Sequence, residues 1–238
     1  MNTLSVIAWI SLGVAFFCAI VITMDEFRHS QKMWIMNIVW PVTALYLSVF
    51  ALWGYYHIGR AMTHDAIQGM SKGQMQEQKK NREEQARRDP TWEQTAVSDS
   101  HCGAGCSLGD IIAEFSIFGL GLTLLGKSIY AEYACDLLLA WLLGVVFQYF
   151  TIKPMLNLSP AKGLIAAIKA DTLSILTFEI GLFAWMALTF FVFYPHPHLH
   201  PTDSGFWFMM QIGMICGYLT SYPMNRWLIK IGWKEAMG

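Results

Sequence analysis

Six stretches of the chain are apolar over about twenty residues each, which is the length an α-helix needs to cross the roughly 30 Å hydrocarbon core of a bilayer. They are residues 4–24, 34–57, 108–126, 133–151, 173–194 and 206–229. The pattern predicts an all-α, polytopic membrane protein with a six-helix transmembrane bundle. The first stretch has neither a basic leader nor a small-residue cleavage site, so we expect it to remain as an anchor.

The composition also favours a protein that lies in the lipid bilayer. Of the 238 residues, 55% are hydrophobic and only 14% are charged, and the mean hydropathy is +0.39. A net charge of −1 gives no reason to expect nucleic acid as a partner. The five cysteines are an odd number and three of them lie in apolar stretches, so a disulfide scaffold is not expected.

The basic residues indicate an orientation. With six crossings, only Arg28, Lys32 and Lys127 fall on the side opposite to the two termini. Basic loops stay on the cytoplasmic side of a membrane. We therefore predict a multi-pass membrane protein with cytoplasmic N and C termini.

The same pattern divides the chain into three parts. Residues 1–58 form an N-terminal two-helix transmembrane hairpin, residues 59–100 a charged cytoplasmic linker, and residues 101–238 a four-helix transmembrane domain. The linker is rich in Gln, Glu, Lys and Arg and has little apolar surface to bury. We expect it to be a solvated tether that is available to a protein partner.

The stretch HCGAGCSLGDIIAE, residues 101–114, is predicted to form the cytoplasmic entrance of the third helix. Gly103 and Gly105 disfavour a helix, and Ser107 followed by Asp110 resembles a capping box. Thiols in a loop at this position would face the positive end of the helix dipole, which stabilises thiolates.

Thiolate and imidazole groups favour copper or zinc, so this entrance motif is a candidate metal site. Its candidate ligands are His101, Cys102, Cys106, Asp110 and Glu114. In the alternative interpretation the carboxyl groups only cap or join helices. The spacing of the two cysteines is less specific than the paired Cys-x-x-Cys motifs of zinc sites.

Ionisable groups inside apolar stretches suggest an intramembrane relay. A charge at the bilayer centre costs about 2.5–3.5 kcal/mol on insertion scales, so such groups face the bundle interior. The candidate relay residues are Glu114, Glu179, Asp171, Asp136 and Gln148. Glu114 and Glu179 are expected about 10 Å from the cytoplasmic ends of their helices. Asp136 is expected near the outer end of its helix.

Three histidines lie in the predicted outer loop YPHPHLHPTD. His196, His198 and His200 alternate with other residues there and could collect a metal ion, although loop histidines are also commonly inert. No nucleotide-binding or haem signature is present.

Three segments resemble the bacterial membrane family catalogued as domain of unknown function 4396. They are HCGAGCSLGDIIAE, GLIAAIKADTLSILTFEIGLFAWM and GYLTSYPMNRWLIKIGWKEAM, within residues 101–237. The resemblance implies a bacterial inner-membrane protein and supplies no reaction. It singles out Cys102, Cys106, Asp110, Glu114, Asp171 and Glu179 as motif positions.

Three functions follow from these patterns. The first is binding or transport of a transition-metal ion, copper or zinc. The alternative is a non-catalytic membrane assembly or structural protein whose polar groups only pack the helices. A dithiol oxidoreductase is disfavoured by the reducing cytoplasm and by the absence of a Cys-x-x-Cys motif. With no nucleophile elbow or zincin helix either, the chain is not expected to be an enzyme.

Overall fold

The computed structural model describes residues 3–29, 31, 33–60, 81 and 84–237, and for residues 154 and 155 it describes the backbone only. Most of the predicted linker, at 61–80 and 82–83, lies outside these ranges. The helices are α1 (Thr3–Glu26), α2 (Met36–Leu47), α3 (Val49–Gly54), α4 (Trp92–Leu120), α5 (Ser128–Leu156), α6 (Pro160–Leu188) and α7 (Ser204–Lys230). Short π-helices, Tyr55–Gly59 and Thr189–Phe193, continue α3 and α6.

Four helical segments are long and apolar enough to cross a membrane. They are Thr3–Glu26, Trp92–Leu120, Ser128–Lys153 and Pro160–Phe193. On α1 the large side chains of Trp9, Ile10 and Phe17 are 62–65% exposed. Acidic and amide side chains are buried in the interior of the bundle instead. This arrangement of apolar surface and polar interior suits lipid and indicates a membrane protein.

Helices α4 to α7 form an antiparallel bundle in which consecutive helices pack together. We call the end where α4 begins and α5 ends the near end, and the opposite end the far end. Leu4 of α1 packs beside Gly205 at the start of α7, which is at the far end. Helix α1 therefore begins at the far end, whereas α7 ends at the near end. The predicted placement of both termini on one side is not confirmed.

The second apolar stretch, predicted as one crossing, forms two helices that fold back on each other. The ring of Trp40 in α2 packs edge-to-face on Tyr55, with ring centroids 5.8 Å apart. A side chain at Gly59 would overlap the same Trp40 ring. In a continuous helix, residues 40 and 59 would be about 28 Å apart. Helices α2 and α3 are therefore the two arms of a hairpin.

Both arms of this hairpin reach the near end of the bundle. Before α2, Trp34 contacts Phe150 in the last turns of α5, with ring centroids 5.5 Å apart. In α3, Trp53 stacks on Trp92 at the start of α4, with centroids 6.1 Å apart. The hairpin thus enters the bundle and returns to the same end, as a re-entrant segment does.

The turn of the hairpin lies at Ser48, whose backbone angles, φ 48° and ψ −119°, fall outside the helical region. A break of this kind exposes carbonyl groups that need hydrogen-bond donors inside an apolar interior. Gln211 supplies one by donating from Nε2 to the Leu45 carbonyl at 2.6 Å, and it accepts a bond from Ser11 at 2.8 Å. Tertiary partners therefore hold the break, and the six-crossing prediction is not confirmed.

Helix α4 begins far earlier than the predicted start at residue 108. Thr91 caps this helix. Its hydroxyl group accepts a hydrogen bond from the backbone N–H of Gln94 at 3.3 Å, and the side-chain oxygen of Gln94 accepts one from the backbone N–H of Thr91 at 3.1 Å. Residues 92–100, predicted as linker, belong to this helix. The predicted entrance loop is wrong, since His101 to Cys106 are helical and buried.

Close packing of helices explains the glycines that suggested a loop. A side chain at Gly105 would lie 2.8 Å from the Cα atom of Gly144, and one at Gly109 would lie 2.7 Å from the Cα atom of Ala140. Helices α4 and α5 therefore approach almost to backbone contact. Small residues allow this approach in membrane bundles.

The hairpin predicts which side of a membrane its flanking residues face. We expect Phe27→Cys and Tyr56→Cys to react with an impermeant maleimide from the same side of sealed vesicles, and Lys127→Cys only from the other side. Cys135 and Cys216, which are partly exposed, are replaced by serine in each variant. Labelling of Phe27→Cys and Tyr56→Cys from opposite sides would show that the segment between them crosses the membrane.

The close approach of α4 and α5 predicts different costs for two glycine substitutions. Gly109→Ala should lower the free energy of unfolding by about 1–3 kcal/mol, because the new methyl group overpacks the contact with Ala140. Gly119→Ala is the matched control, since nothing lies within 4 Å of its added methyl group. It should be neutral or stabilising by up to about 1 kcal/mol. Denaturant unfolding in detergent measures both, and equal losses would count against the contact.

Candidate functional site

Many buried polar side chains of α4 to α7 and of the segment after α7 form two groups, and all members of these groups are at most 2% exposed. The far cluster consists of Asp110 and Glu114 on α4, Asp136 on α5 and Glu179 on α6. The near cluster consists of Asp99 and Cys102 on α4, Asp171 and Ser174 on α6, Ser221 and Asn225 on α7, and Lys234 in the segment after α7.

Asp110 is at the centre of the far cluster. It interacts electrostatically with Glu179, Asp136 and Glu114, and Asp136 interacts with the same two glutamates. Both carboxyl oxygens of Asp110 and of Glu179 lack a hydrogen-bond partner among the described residues. Three helices thus bring four carboxyl groups together, and Asp110 does not cap its own helix.

No basic side chain in the described part of the chain pairs with the four carboxyl groups of the far cluster. Carboxylates so close and so deeply buried cannot all be ionised, because burial removes their hydration and like charges repel. Protons or another cation must neutralise part of the charge. The far cluster is therefore a place where protons can be held and passed between neighbours.

Glu114 lies closer to the far end than the sequence predicted. Glu114 is six residues from the end of α4 at Leu120, or about 9 Å. Asp136 is eight residues into α5, or about 12 Å from the same end. The prediction placed Glu114 near the opposite end because it began α4 too late along the chain.

A small cavity connects Glu114 with the loop at the far end. Its volume is about 30 Å³, and its lining includes Glu114, Ser128, Glu132, His198 and His200. Glu132 interacts electrostatically with both histidines. The cavity is large enough to hold a water molecule. Water and titratable side chains can therefore link the far cluster with the far-end surface.

The three histidines of the far-end loop have different surroundings. The ring of His198 stacks on Phe190, with centroids 3.7 Å apart, and its Nδ1 atom lies 3.0 Å from the Tyr194 carbonyl oxygen. His200 lies beside it at the small cavity. His196 lines a neighbouring surface pocket of about 410 Å³ instead. Two of the three predicted histidines thus reach the candidate site.

The near cluster contains a buried ion pair. Lys234 donates from Nζ to Oδ1 of Asp171 at 2.7 Å, and both side chains are fully buried. Burial alone would lower the pKa of Lys234, but attraction to Asp171, Cys102 and Asp99 outweighs it and raises that pKa above its ordinary value. Lys234 is therefore a charged ammonium group and the counter-ion of Asp171.

Hydrogen bonds fix the second carboxylate of the near cluster. Asp99 Oδ1 accepts bonds from Ser221 at 2.6 Å and from the Asn225 amide at 2.5 Å. Ser174 donates to Asn225 Oδ1 at 2.8 Å and lies 3.1 Å from the sulfur of Cys102. The other oxygen of Asp99 has no partner among the described residues.

Cys106 and Tyr46 lie between the two clusters. The thiol of Cys106 faces Cys102, one helical turn away, and the carboxyl group of Glu179, although it forms no well-aligned hydrogen bond with Glu179. Tyr46, near the turn of the re-entrant hairpin, interacts electrostatically with Asp99 and Cys106, and its buried hydroxyl has no partner in the described structure. The hairpin therefore places a hydroxyl group between the near and far clusters.

The five residues predicted to bind a metal do not converge on one point. His101 contacts Thr151, with Nε2 2.8 Å from the hydroxyl oxygen, and Glu114 lies about 20 Å further along the same helix. In the described ranges, no group of three or more His, Cys, Asp or Glu side chains is placed to hold a metal ion. A copper or zinc site remains a prediction without support from the geometry.

The predicted relay residues divide between the two clusters. Glu114, Asp136 and Glu179 come together in the far cluster, whereas Asp171 belongs to the near cluster. Gln148 is fully buried about 18 Å along α5 from Asp136. Its amide atoms have no hydrogen-bond partner among the described residues.

Several residues of the site were not predicted from the sequence, among them Tyr46, Asp99, Glu132 and Lys234. A helical signal could have identified Asp99. Asp99, Cys102, Cys106, Asp110 and Glu114 follow one another at intervals of three or four residues, which places them on one face of a helix. Lys234 lies in a short segment that has no periodic pattern to reveal its burial.

The contrast between the clusters predicts that replacing a carboxyl group by an amide costs much less stability in the far cluster than in the near cluster. Asp110→Asn should change the free energy of unfolding by about 1 kcal/mol or less, because an amide resembles a protonated carboxyl group. Asp171→Asn should cost about 3–5 kcal/mol, because it leaves Lys234 buried without a counter-ion. Denaturant unfolding of both variants measures this difference. A greater loss for Asp110→Asn would show that the far cluster is an ionised structural network.

Comparison with known proteins identifies a family of unknown function. A family model described as a domain of unknown function (DUF4396) matches residues 91–234. No curated protein and no solved structure matches the chain. The matched segment begins at Thr91, the cap of α4, and ends at Lys234. It includes both clusters and excludes α1 and the re-entrant hairpin.

Proposed function

The chain belongs to DUF4396, a family described as a domain of unknown function, and we propose that it conducts protons across a bacterial inner membrane. The proposal rests on the geometry of the buried side chains. One observation carries the proposal. The far cluster holds four buried carboxyl groups in mutual electrostatic contact and without a basic partner in the described structure. Acidic groups inside membrane bundles commonly form such proton relays.

The conduction route that we propose follows the buried side chains along α4. Protons enter from the far end through the small cavity lined by Glu132, His198 and His200, since imidazole groups commonly shuttle protons. They pass through the far cluster and continue by way of Cys106 and the Tyr46 hydroxyl to the near cluster. Motion of side chains and water molecules completes the steps between neighbouring groups.

The distribution of charge supports a cytoplasmic near end. With the exception of Lys127, each Lys and Arg belongs to one of two kinds of sequence. It is either in the half of a helix that lies at the near end, or in a segment that connects or follows helices at the near end. Basic segments stay in the cytoplasm. We propose five crossings, made by α1 and α4 to α7, with the hairpin re-entering from the cytoplasm. In this orientation Arg28 and Lys32 are inside, unlike in the six-crossing prediction.

Proton transfer explains the buried side chains better than the other candidate functions do. Transport of copper or zinc would need a ligand group that is not found among the described residues. A purely structural role, with the predicted 59–100 linker contacting a partner, gives no reason for four buried carboxyl groups that have no basic partner in the described structure and cost stability in an apolar interior. An enzymatic role is not part of the proposal.

Reconstitution of the full chain in liposomes tests the proposed conduction. With a potassium diffusion potential as the driving force and a pH-sensitive dye inside, wild-type protein should accelerate proton uptake. Asp110→Asn and Glu179→Gln should reduce the rate to that of protein-free liposomes, because an amide cannot exchange the proton. The dye signal gives the initial rate for each variant.

Asp89→Asn is the matched control for this measurement. The Asp89 side chain is 82% exposed and pairs with Arg226 at the bundle surface, so its loss should leave the flux unchanged. Equal rates for wild-type protein, Asp110→Asn and empty liposomes would refute proton conduction. A metal-dependent signal abolished by Cys102→Ser would instead favour transport of a transition metal.

A further inference from the structure

The near cluster contains two carboxyl groups but only one ammonium group. Asp99 and Asp171 are both fully buried, and both interact with the single ammonium group of Lys234. Within the described part of the chain, no second basic group forms an ion pair with either carboxylate. His101 also faces Lys234 from α4, but it contacts the neutral Thr151 hydroxyl. The cluster can therefore accept one more unit of positive charge.

The oxygen atoms of the near cluster are arranged around the position of the ammonium group. Asp171 binds Lys234 through Oδ1, whereas its buried Oδ2 has no hydrogen-bond partner among the described residues. Asp99 is held at Oδ1 by two donors, and its buried Oδ2 is also without a partner. Asp171 Oδ2 lies close to the backbone of Gly144 on α5, since a Cβ atom added at Gly144 would be only 3.1 Å from it.

Lys234 reaches this position from a short segment that is not helical. Residues 231–237 follow α7 and are held by backbone bonds from Trp233 and Lys234 to the Leu228 carbonyl, at 2.9 and 3.2 Å. Further along, the Met237 amide donates to Ser98 at 3.2 Å. The ammonium group is thus attached to the bundle through a short non-helical segment, not through α7 itself.

We propose that the near cluster is a binding site for a small monovalent cation such as sodium, and that the Lys234 ammonium group is its tethered occupant. Carboxylate, amide and hydroxyl oxygens are ligands that hard cations prefer. An incoming cation binds to Asp99 and Asp171 when Lys234 withdraws with its segment. The role of this exchange in transport rests on the proposed proton conduction, whereas cation binding itself does not.

Removal of the tethered cation gives a direct test of the site. Lys234→Gln leaves Asp99 and Asp171 without their counter-ion, so an external cation should replace it. The melting temperature of purified, full-length Lys234→Gln should be higher in sodium chloride than in choline chloride of the same ionic strength. A ligand that binds only the folded state raises stability in this way. Equal melting temperatures of the folded variant in the two salts would overturn the proposal.

A double variant provides the matched control. Lys234→Gln combined with Asp171→Asn removes both partners of the ion pair, which is far less costly than removal of one. It should show no difference between sodium and choline, because the principal ligand has been lost. A sodium effect of equal size in the double variant would place the bound cation elsewhere and overturn the proposal.

The wild-type protein provides an independent measurement if Lys234→Gln does not fold. Sodium that displaces Lys234 should release the segment after α7, so amide hydrogen exchange of residues 233–237 should be faster in sodium chloride than in choline chloride. Equal exchange rates in the two salts would overturn the proposal. A sodium response without proton flux in liposomes would support the site while refuting proton conduction.

Discussion

An ionised side chain in an apolar interior needs a counter-ion, hydrogen-bond donors or a proton, and this requirement shapes the whole bundle. The near cluster meets it with the Lys234 ammonium group for Asp171 and with Ser221 and Asn225 for Asp99. The far cluster has no basic partner among the described residues, and both oxygens of Asp110 and of Glu179 lack a hydrogen-bond donor there. Protons are the remaining means of neutralising it, and from this difference we derive separate roles for two clusters on the same helices.

The re-entrant hairpin determines how the rest of the chain is placed. Because it returns to the near end, it keeps the basic segments before and after it on one side, and it brings Tyr46 between the two clusters. Its break at Ser48 persists because Gln211 satisfies the Leu45 carbonyl. Topology, charge distribution and the proposed proton route therefore depend on one irregular turn that tertiary contacts stabilise.

Local sequence patterns were enough to predict an all-α membrane protein and most residues of the far cluster. Apolar length revealed the helices, and the rarity of charge inside them identified Glu114 and Glu179. The patterns failed where the outcome depends on distant partners. Ser48 is an ordinary residue whose irregular backbone requires Gln211, and the helical glycines make contact with α5. The burial of Lys234 arises only when its segment meets Asp171.

The central claim is that the far cluster holds protons at neutral pH, and infrared spectroscopy measures this directly. Protonated carboxyl groups absorb in a C=O stretching region separate from that of carboxylates, and their bands shift in deuterated water. The account predicts such bands in wild-type protein at neutral pH, with less intensity in Asp110→Asn and in Glu179→Gln. A wild-type spectrum that contains only carboxylate bands would contradict it.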